Sequence, residues 1–251
     1  TEFLPVSSSA HLRLVPEALG WQDPGASFTA VVQLGTVAAV LLAFRTDLRA
    51  VTIAAWSGIW RPRVRDTPEW RLALSISGGT VPIAVLGLVF ADAVEGPLRS
   101  LGVIAAALTA GSVWLWLAVR RPAGNRSMEE LGALEVGLVG LAQAAALVPG
   151  VSRSGATIGA ALQLGLEPAD AARFSFLLSV PAIVLAGLFG LRDVGDGVPV
   201  VATSVAVAVA FCSGYLSIRW LLALVARGRL RGFVAYRLTV AAIILAALVI
   251  R

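Results

Sequence analysis

Apolar residues gather into six long runs, at about Phe28–Phe44, Leu72–Ala91, Leu101–Val119, Phe174–Leu191, Val200–Ala226 and Phe233–Ile250. Each approaches the roughly 20 residues that an α-helix needs to cross a ~30 Å hydrocarbon slab. A further apolar region, Leu131–Leu166, is broken by Pro149, Gly150 and the polar trio Ser152-Arg153-Ser154. Its arms hold about 12 to 17 residues each and reach roughly 18–25 Å at ~1.5 Å per residue, short of a full crossing. The region is therefore either one long interrupted crossing or a re-entrant hairpin.

The arginines decide between these. A loop from Arg45 to Arg71 carries Arg45, Arg49, Arg61, Arg63, Arg65 and Arg71. Two crossings later come Arg120, Arg121 and Arg126, and the last basic loop holds Arg227, Arg229 and Arg231. Basic loops stay in the cytoplasm. All three share one side only if Leu131–Leu166 returns to its own side, so the hairpin is predicted. The loops around Asp92–Glu95 and Asp193–Asp196 are then external.

An internal repeat agrees. Pro5-Val6-Ser7-Ser8-Ser9-Ala10 matches Pro149-Gly150-Val151-Ser152-Arg153-Ser154-Gly155, with one extra residue in the second copy. After each, a similar helix begins, at Phe28-Thr29-Ala30-Val31-Val32 and at Phe174-Ser175-Phe176-Leu177-Leu178. The loop assignment runs the first inward and the second outward, which makes an inverted-topology repeat. The expected fold is an all-α polytopic membrane protein, with six transmembrane helices and two re-entrant helical hairpins. It forms one domain over 1–251, with repeat 1 at about 1–119 and repeat 2 at about 131–251. Thr1-Glu2-Phe3-Leu4-Pro5 reads as the middle of an element, so the first arm of the N-terminal hairpin is expected to precede this chain.

Composition narrows the classes. Of 251 residues, 58% are hydrophobic and 14% charged, and the mean hydropathy is +0.85. A soluble domain carries about a quarter charged residues. A water-facing globule, a secreted disulfide scaffold, a coiled coil and a disordered tail are excluded, and the single Cys212 makes no intrachain disulfide. All 20 basic residues are arginine, a bias that suits a GC-rich bacterial gene. The charge of +5 and pI near 10.8 belong to loops facing anionic lipid, not to a nucleic-acid site.

Candidate chemistry sits on the two serine turns. Each enters a helix, so each offers hydroxyls and the free N–H groups of a helix N-terminus, a setting suited to oxyanions. Arg153 adds a permanent cation with a planar donor fork that matches phosphate or carboxylate. A charge at membrane depth is costly and points to function, with Glu2 as its partner. A purely structural Glu2–Arg153 pair is the plainer alternative, and serines also cap and glue membrane helices. His11, the one histidine, follows Ser8 by three residues and shares a helix face with it. Such a pair suits hydrolysis, with the imidazole as base. One histidine and one cysteine make no zinc site. Glu2, hydroxyls and phosphate oxygens suit Mg²⁺ or Ca²⁺. Gln33 and Gln143 are possible supports of the site, Arg219 is expected to snorkel, and Glu129, Glu130 and Glu135 read as loop or helix-start carboxylates.

The segments Glu2-Phe3-Leu4-Pro5-Val6-Ser7-Ser8-Ser9-Ala10-His11-Leu12 and Pro149-Gly150-Val151-Ser152-Arg153-Ser154-Gly155-Ala156-Thr157 resemble the two signatures of the BacA-type undecaprenyl-diphosphate phosphatases. The similarity extends to Gln33-Leu34-Gly35-Thr36 and Arg173-Phe174-Ser175-Phe176-Leu177-Leu178. The resemblance implies a membrane enzyme that hydrolyses the C55 lipid diphosphate to the monophosphate and inorganic phosphate. That recycles the carrier lipid for peptidoglycan and is associated with bacitracin resistance. It further implies a bacterial inner-membrane location, a site open to the external face and a helping divalent cation. A homodimer is one assembly open to such a chain, and the sequence does not fix the oligomeric state. Carried over by position, Glu2, Ser8, His11 and Arg153 are the catalytic candidates. Ser7, Ser152, Ser154 and Thr157 fall on phosphate-binding positions, and Glu2 is the candidate metal ligand. The family's further Glu or Gln, four residues before Glu2, lies before Thr1. Ser8, His11 or water remains open as the nucleophile. A transporter or flippase with a midplane phosphate site is the rival reading. The other lipid-phosphatase family needs two histidines and a Lys/Arg-Pro motif, which one histidine and no lysine do not supply.

Overall fold

Two short helices joined by a tight turn decide the architecture. In the computed structural model, which describes residues 1–21, 25–190 and 200–250, α1 is Ser8–Leu19, α2 Gly25–Ala43 and α3 Arg45–Trp60. Then follow α4 Pro68–Val89, α5 Ala91–Glu95, α6 Leu101–Val119, α7 Ala133–Ala145 and α8 Arg153–Gln163. The order ends with α9 Pro168–Gly190, α10 Val200–Ala226 and α11 Arg231–Ile250. At 13 and 11 residues, α7 and α8 are both too short to cross a bilayer.

The chain enters and leaves this pair at one point. Arg126 and Leu166 form an isolated parallel bridge. The Arg126 N–H donates to Gly165 O at 3.2 Å, and the Glu167 N–H to Arg126 O at 2.9 Å. The Arg126 guanidinium adds a bond to Leu164 O at 2.8 Å and a two-pronged ion pair with Glu135, at 2.7 and 2.9 Å. Glu135 also accepts the Gly132 N–H at 2.9 Å, which caps the start of α7. A side chain at Gly124 would bring Cβ within 1.9 Å of Gly165 O, so this seam requires glycine. Residues 126–167 thus leave and return at one place, as a re-entrant hairpin does.

Five described helices are long and apolar enough to cross: α4, α6, α9, α10 and α11. Those lengths and the apolar surface make a multi-pass membrane protein. A sixth crossing forms if α2 is counted with α3, from which it is bent by 82°. Here the structure differs from expectation, because most of the basic loop from Arg45 to Arg71 is helical. Val51, Ala54 and Gly58 bury one face of α3, with the Trp70 indole lying over Gly58. Trp56 and Trp60 are exposed on another, as interfacial aromatics are. Arginines at both ends marked the segment as non-membrane, and its small-residue face was the overlooked helix signal. Arg173 of α9 ties α3 down through Asp47 at 2.7 Å. The expected loop at Asp193–Asp196 lies outside the described residues.

The core surrounds the hairpin. Phe174, Phe176, Leu177 and Leu178 of α9 are buried with Ile158 of α8 and Val139 of α7. Residues 154–161 of α8 are all buried, so the second serine motif enters protein rather than lipid.

Candidate active site at two serine turns

Ser7 and Ser152 precede α1 and α8, and they share one unusual backbone. Their φ values are 71° and 70°, the two positive values at non-glycine positions among the described residues. Such a conformation costs on the order of 1–3 kcal/mol and persists only where its surroundings impose it. The two copies of the motif therefore match in backbone as well as in sequence. Each also pairs a hydroxyl with the one two residues on: Ser7 with Ser9 at 3.2 Å, and Ser152 with Ser154 at 3.4 Å.

The turns touch. The Gly150 N–H donates to Ser7 Oγ at 3.1 Å, while Ser152 Oγ caps its own helix by accepting the Gly155 N–H at 3.3 Å. Gly150 has φ +109°, and a Cβ there would lie 2.6 Å from Ile104 O. Only glycine gives that conformation and that approach to α6.

Glu2 and Arg153 meet in a part-buried ion pair, with side chains 13% and 17% exposed. Beside them is a cavity of about 10 Å³, room for one water, bounded by Phe3, Ser154, Ser175, Phe176 and Ser179. Phe3 and Phe176 close it edge to face, with ring centroids 5.8 Å apart. Ser7, Ser152 and Ser154 are buried at the same turns, whereas Ser8 is half-buried and its hydroxyl has no hydrogen-bond partner among the described residues. Thr157 sits one turn deeper. Its hydroxyl donates to Arg153 O at 2.8 Å and bonds Ser175 Oγ at 2.6 Å, which places it in the α8–α9 contact.

His11 does not bond Ser8. Its Nδ1 is 2.8 Å from Ser7 O and its Nε2 is 2.6 Å from Tyr236 Oη. The left-handed Ser7 turn aims a carbonyl at the ring, and that carbonyl captures Nδ1. Of the other expected supports, Gln143 is buried and donates to Gly79 O at 3.4 Å, so it serves the α4 backbone.

Two residues absent from the sequence reading complete the arrangement. Tyr236 is one, and its neighbour Arg237 is the other. Arg237 is fully buried. Its Nη2 donates to Gly150 O at 3.0 Å and Val151 O at 2.9 Å, with a longer contact from Nη1 to Pro5 O at 3.5 Å. One guanidinium thus grips the backbone just before both strained serines. The available signal was an arginine inside the apolar run Phe233–Ile250, where a charge is a functional candidate by default.

The larger groove between α2 and α10, about 460 Å³, is lined by Val31, Gly35, Ala38, Val207, Phe211 and neighbours. None of its described lining residues is ionisable.

Comparison with known proteins agrees with these motifs. The family model described as bacitracin resistance protein BacA matches residues 1–243. The chain belongs to the BacA family. A relative from Frankia casuarinae, named undecaprenyl-diphosphatase 2, is 46% identical over 94% of this chain and 86% of its own length. One from Chlorobium chlorochromatii, named undecaprenyl-diphosphatase, is 43% identical over 98% of this chain and 91% of its own. A third, undecaprenyl-diphosphatase 2 of Streptomyces coelicolor, is 42% identical over 98% and 89%.

A divalent cation is the cofactor that BacA-type resemblance implies. Among the described residues no three His, Cys, Asp or Glu side chains gather to hold one. Glu2 is the one carboxylate at the turns, and Arg153 engages it. One carboxylate and a few hydroxyls fall short of the six to eight oxygens of a calcium site. These residues alone do not build the site.

Proposed function

We propose that this BacA-family protein hydrolyses undecaprenyl diphosphate to undecaprenyl phosphate and inorganic phosphate, at the paired serine turns. The observation that carries the reading is the meeting of Glu2 and Arg153 from the two motifs beside two helix N-termini, in a chain whose relatives bear the phosphatase name. Arg153 and the N–H groups that open α8 are suited to the charge on the transferring phosphoryl, where positioning and electrostatics do most of the work.

In the proposed reaction Ser8 Oγ attacks the terminal phosphorus. The bond from that phosphorus to the bridging oxygen breaks, and undecaprenyl phosphate leaves. The serine proton passes to His11. Water then cleaves the phosphoserine, releasing inorganic phosphate and restoring the hydroxyl. Glu2 orients Arg153. Ser7, Ser152 and Ser154 line the phosphate's approach, and Thr157 supports α8 from behind. The matching φ values of Ser7 and Ser152 support an inverted repeat whose halves each supply one turn.

The test is steady release of inorganic phosphate from a short-chain lipid diphosphate by the purified protein in detergent. A carrier would bind the diphosphate and release none.

The protein is proposed to sit in a bacterial inner membrane with this site facing outward. Arg63 and Arg229 are exposed on basic connections, and Asp92 is exposed between α4 and α6. Single cysteines at 63 and 229, in a Cys212→Ser background, are expected to react from the cytoplasmic side only. One at 92 is expected to react from outside only. Labelling of 92 and 229 from the same side would overturn this topology.

A further inference from the structure

The histidine's surroundings decide by which route it receives a proton. A carbonyl oxygen only accepts, so the 2.8 Å contact to Ser7 O requires a proton on Nδ1. In the neutral ring, Nε2 then carries the single in-plane lone pair, and the hydroxyl that fills it belongs to Tyr236, at 2.6 Å. The two rings lie nearly parallel, 6° apart in plane with centroids at 5.7 Å. No other side chain reaches the imidazole nitrogens among the described residues. Tyr236 is 45% exposed, and its hydroxyl oxygen retains lone pairs beyond the bond to His11. Its backbone is fixed by the next residue, Arg237, which is anchored on Gly150, Val151 and Pro5.

We propose that Tyr236 is the proton-relay residue of this enzyme, the group through which His11 acts as base. As the nucleophile attacks phosphorus, its hydroxyl proton moves to Tyr236 Oη, and the Tyr236 proton moves to His11 Nε2. The nucleophile loses one proton, the imidazole gains one, and the tyrosine ends as it began. This explains how His11 serves Ser8 without touching it. The inference rests on the phosphatase reading for its kinetic part, but its structural part is read without activity.

His11 is the only histidine in the chain, so ¹⁵N-histidine labelling yields one imidazole and no assignment problem. The native protein in detergent is expected to show the neutral Nδ1–H tautomer with a hydrogen-bonded Nε2. The opposite tautomer in native protein would overturn the proposal before any substitution is made. Tyr236→Phe keeps the ring and removes the oxygen. Its Nε2 resonance is expected to move to that of an unbonded nitrogen, while kcat falls roughly 100-fold or more, as when a proton-transfer path is removed. KM is expected to stay within about twofold, since no substrate contact is lost. Unchanged kcat, or a KM rise without a kcat loss, would sink the relay, as would an unmoved Nε2 signal. If the native protein releases no phosphate at all, the phosphatase reading fails instead, and the imidazole spectrum still tells whether Tyr236 holds His11.

Discussion

Arg153→Lys is expected to lower kcat/KM by roughly 100-fold, although the charge is kept. The reason is geometric. In the resting protein one prong of the guanidinium is committed to Glu2, and the cavity beside the pair holds about 10 Å³. A terminal phosphate therefore enters only by taking over part of the Arg153 fork while Glu2 retains the rest. A planar guanidinium serves both partners at once, and an ammonium is a point charge that follows whichever carboxylate or phosphate is nearer. Loss of one preorganised donor to a developing oxyanion is worth about 10²–10³ in rate. The measurement is steady-state phosphate release, with thermal unfolding to check that the variant is folded. A Lys variant with near-native turnover would mean that position 153 supplies charge alone. Glu2→Gln in the same assay separates the roles, because it frees the fork without removing it.

How much of this could be read beforehand follows from where each signal lies. The long apolar runs became helices because hydrocarbon leaves the backbone no other satisfied form. The pair of short helices α7 and α8 was legible from its broken apolar arms, and Arg126 is the residue that clasps its base. The serine turns were legible because strain of this kind is bought with a repeated local sequence, and both copies carry it. What escaped was relational. The α3 helix runs across its neighbours, so its small-residue face had meaning only once Trp70 of α4 lay on Gly58. Tyr236 lies 225 residues from His11, and Arg237 lies 86 and 87 residues from Val151 and Gly150 and 232 from Pro5. Adjacent residues on a helix point in different directions, so one reaches the histidine and the other the two turns. The Ser8–His11 spacing was read correctly as one helix face, yet shared facing is not contact, and the Ser7 carbonyl decided the ring's direction.

That direction gives the Ser8 and His11 substitutions different expected outcomes. If Ser8 is the nucleophile, Ser8→Ala removes the group that forms the covalent intermediate. Turnover is then expected to fall by more than about 10⁴-fold, with substrate binding little changed. His11→Ala removes only the proton acceptor, and general-base help is worth about 10²–10⁴-fold. Its residual turnover is expected to rise with pH, because hydroxide can still take the serine proton as the solution becomes more basic. The resting geometry makes this contrast sharp. Ser8 Oγ is held by no other group among the described residues, so alanine at position 8 costs little structure. The imidazole bridges Ser7 O and Tyr236, so its loss also relaxes the first turn. A Ser8→Ala protein that keeps its kcat while KM rises would show the hydroxyl to be a phosphate contact, and would pass the nucleophile's role to water or to His11. Quenching in alkaline detergent with ³²P in the terminal phosphate then distinguishes those two, since attack by His11 leaves a phosphohistidine that is stable to alkali and lost in acid, and attack by water leaves no label on the protein.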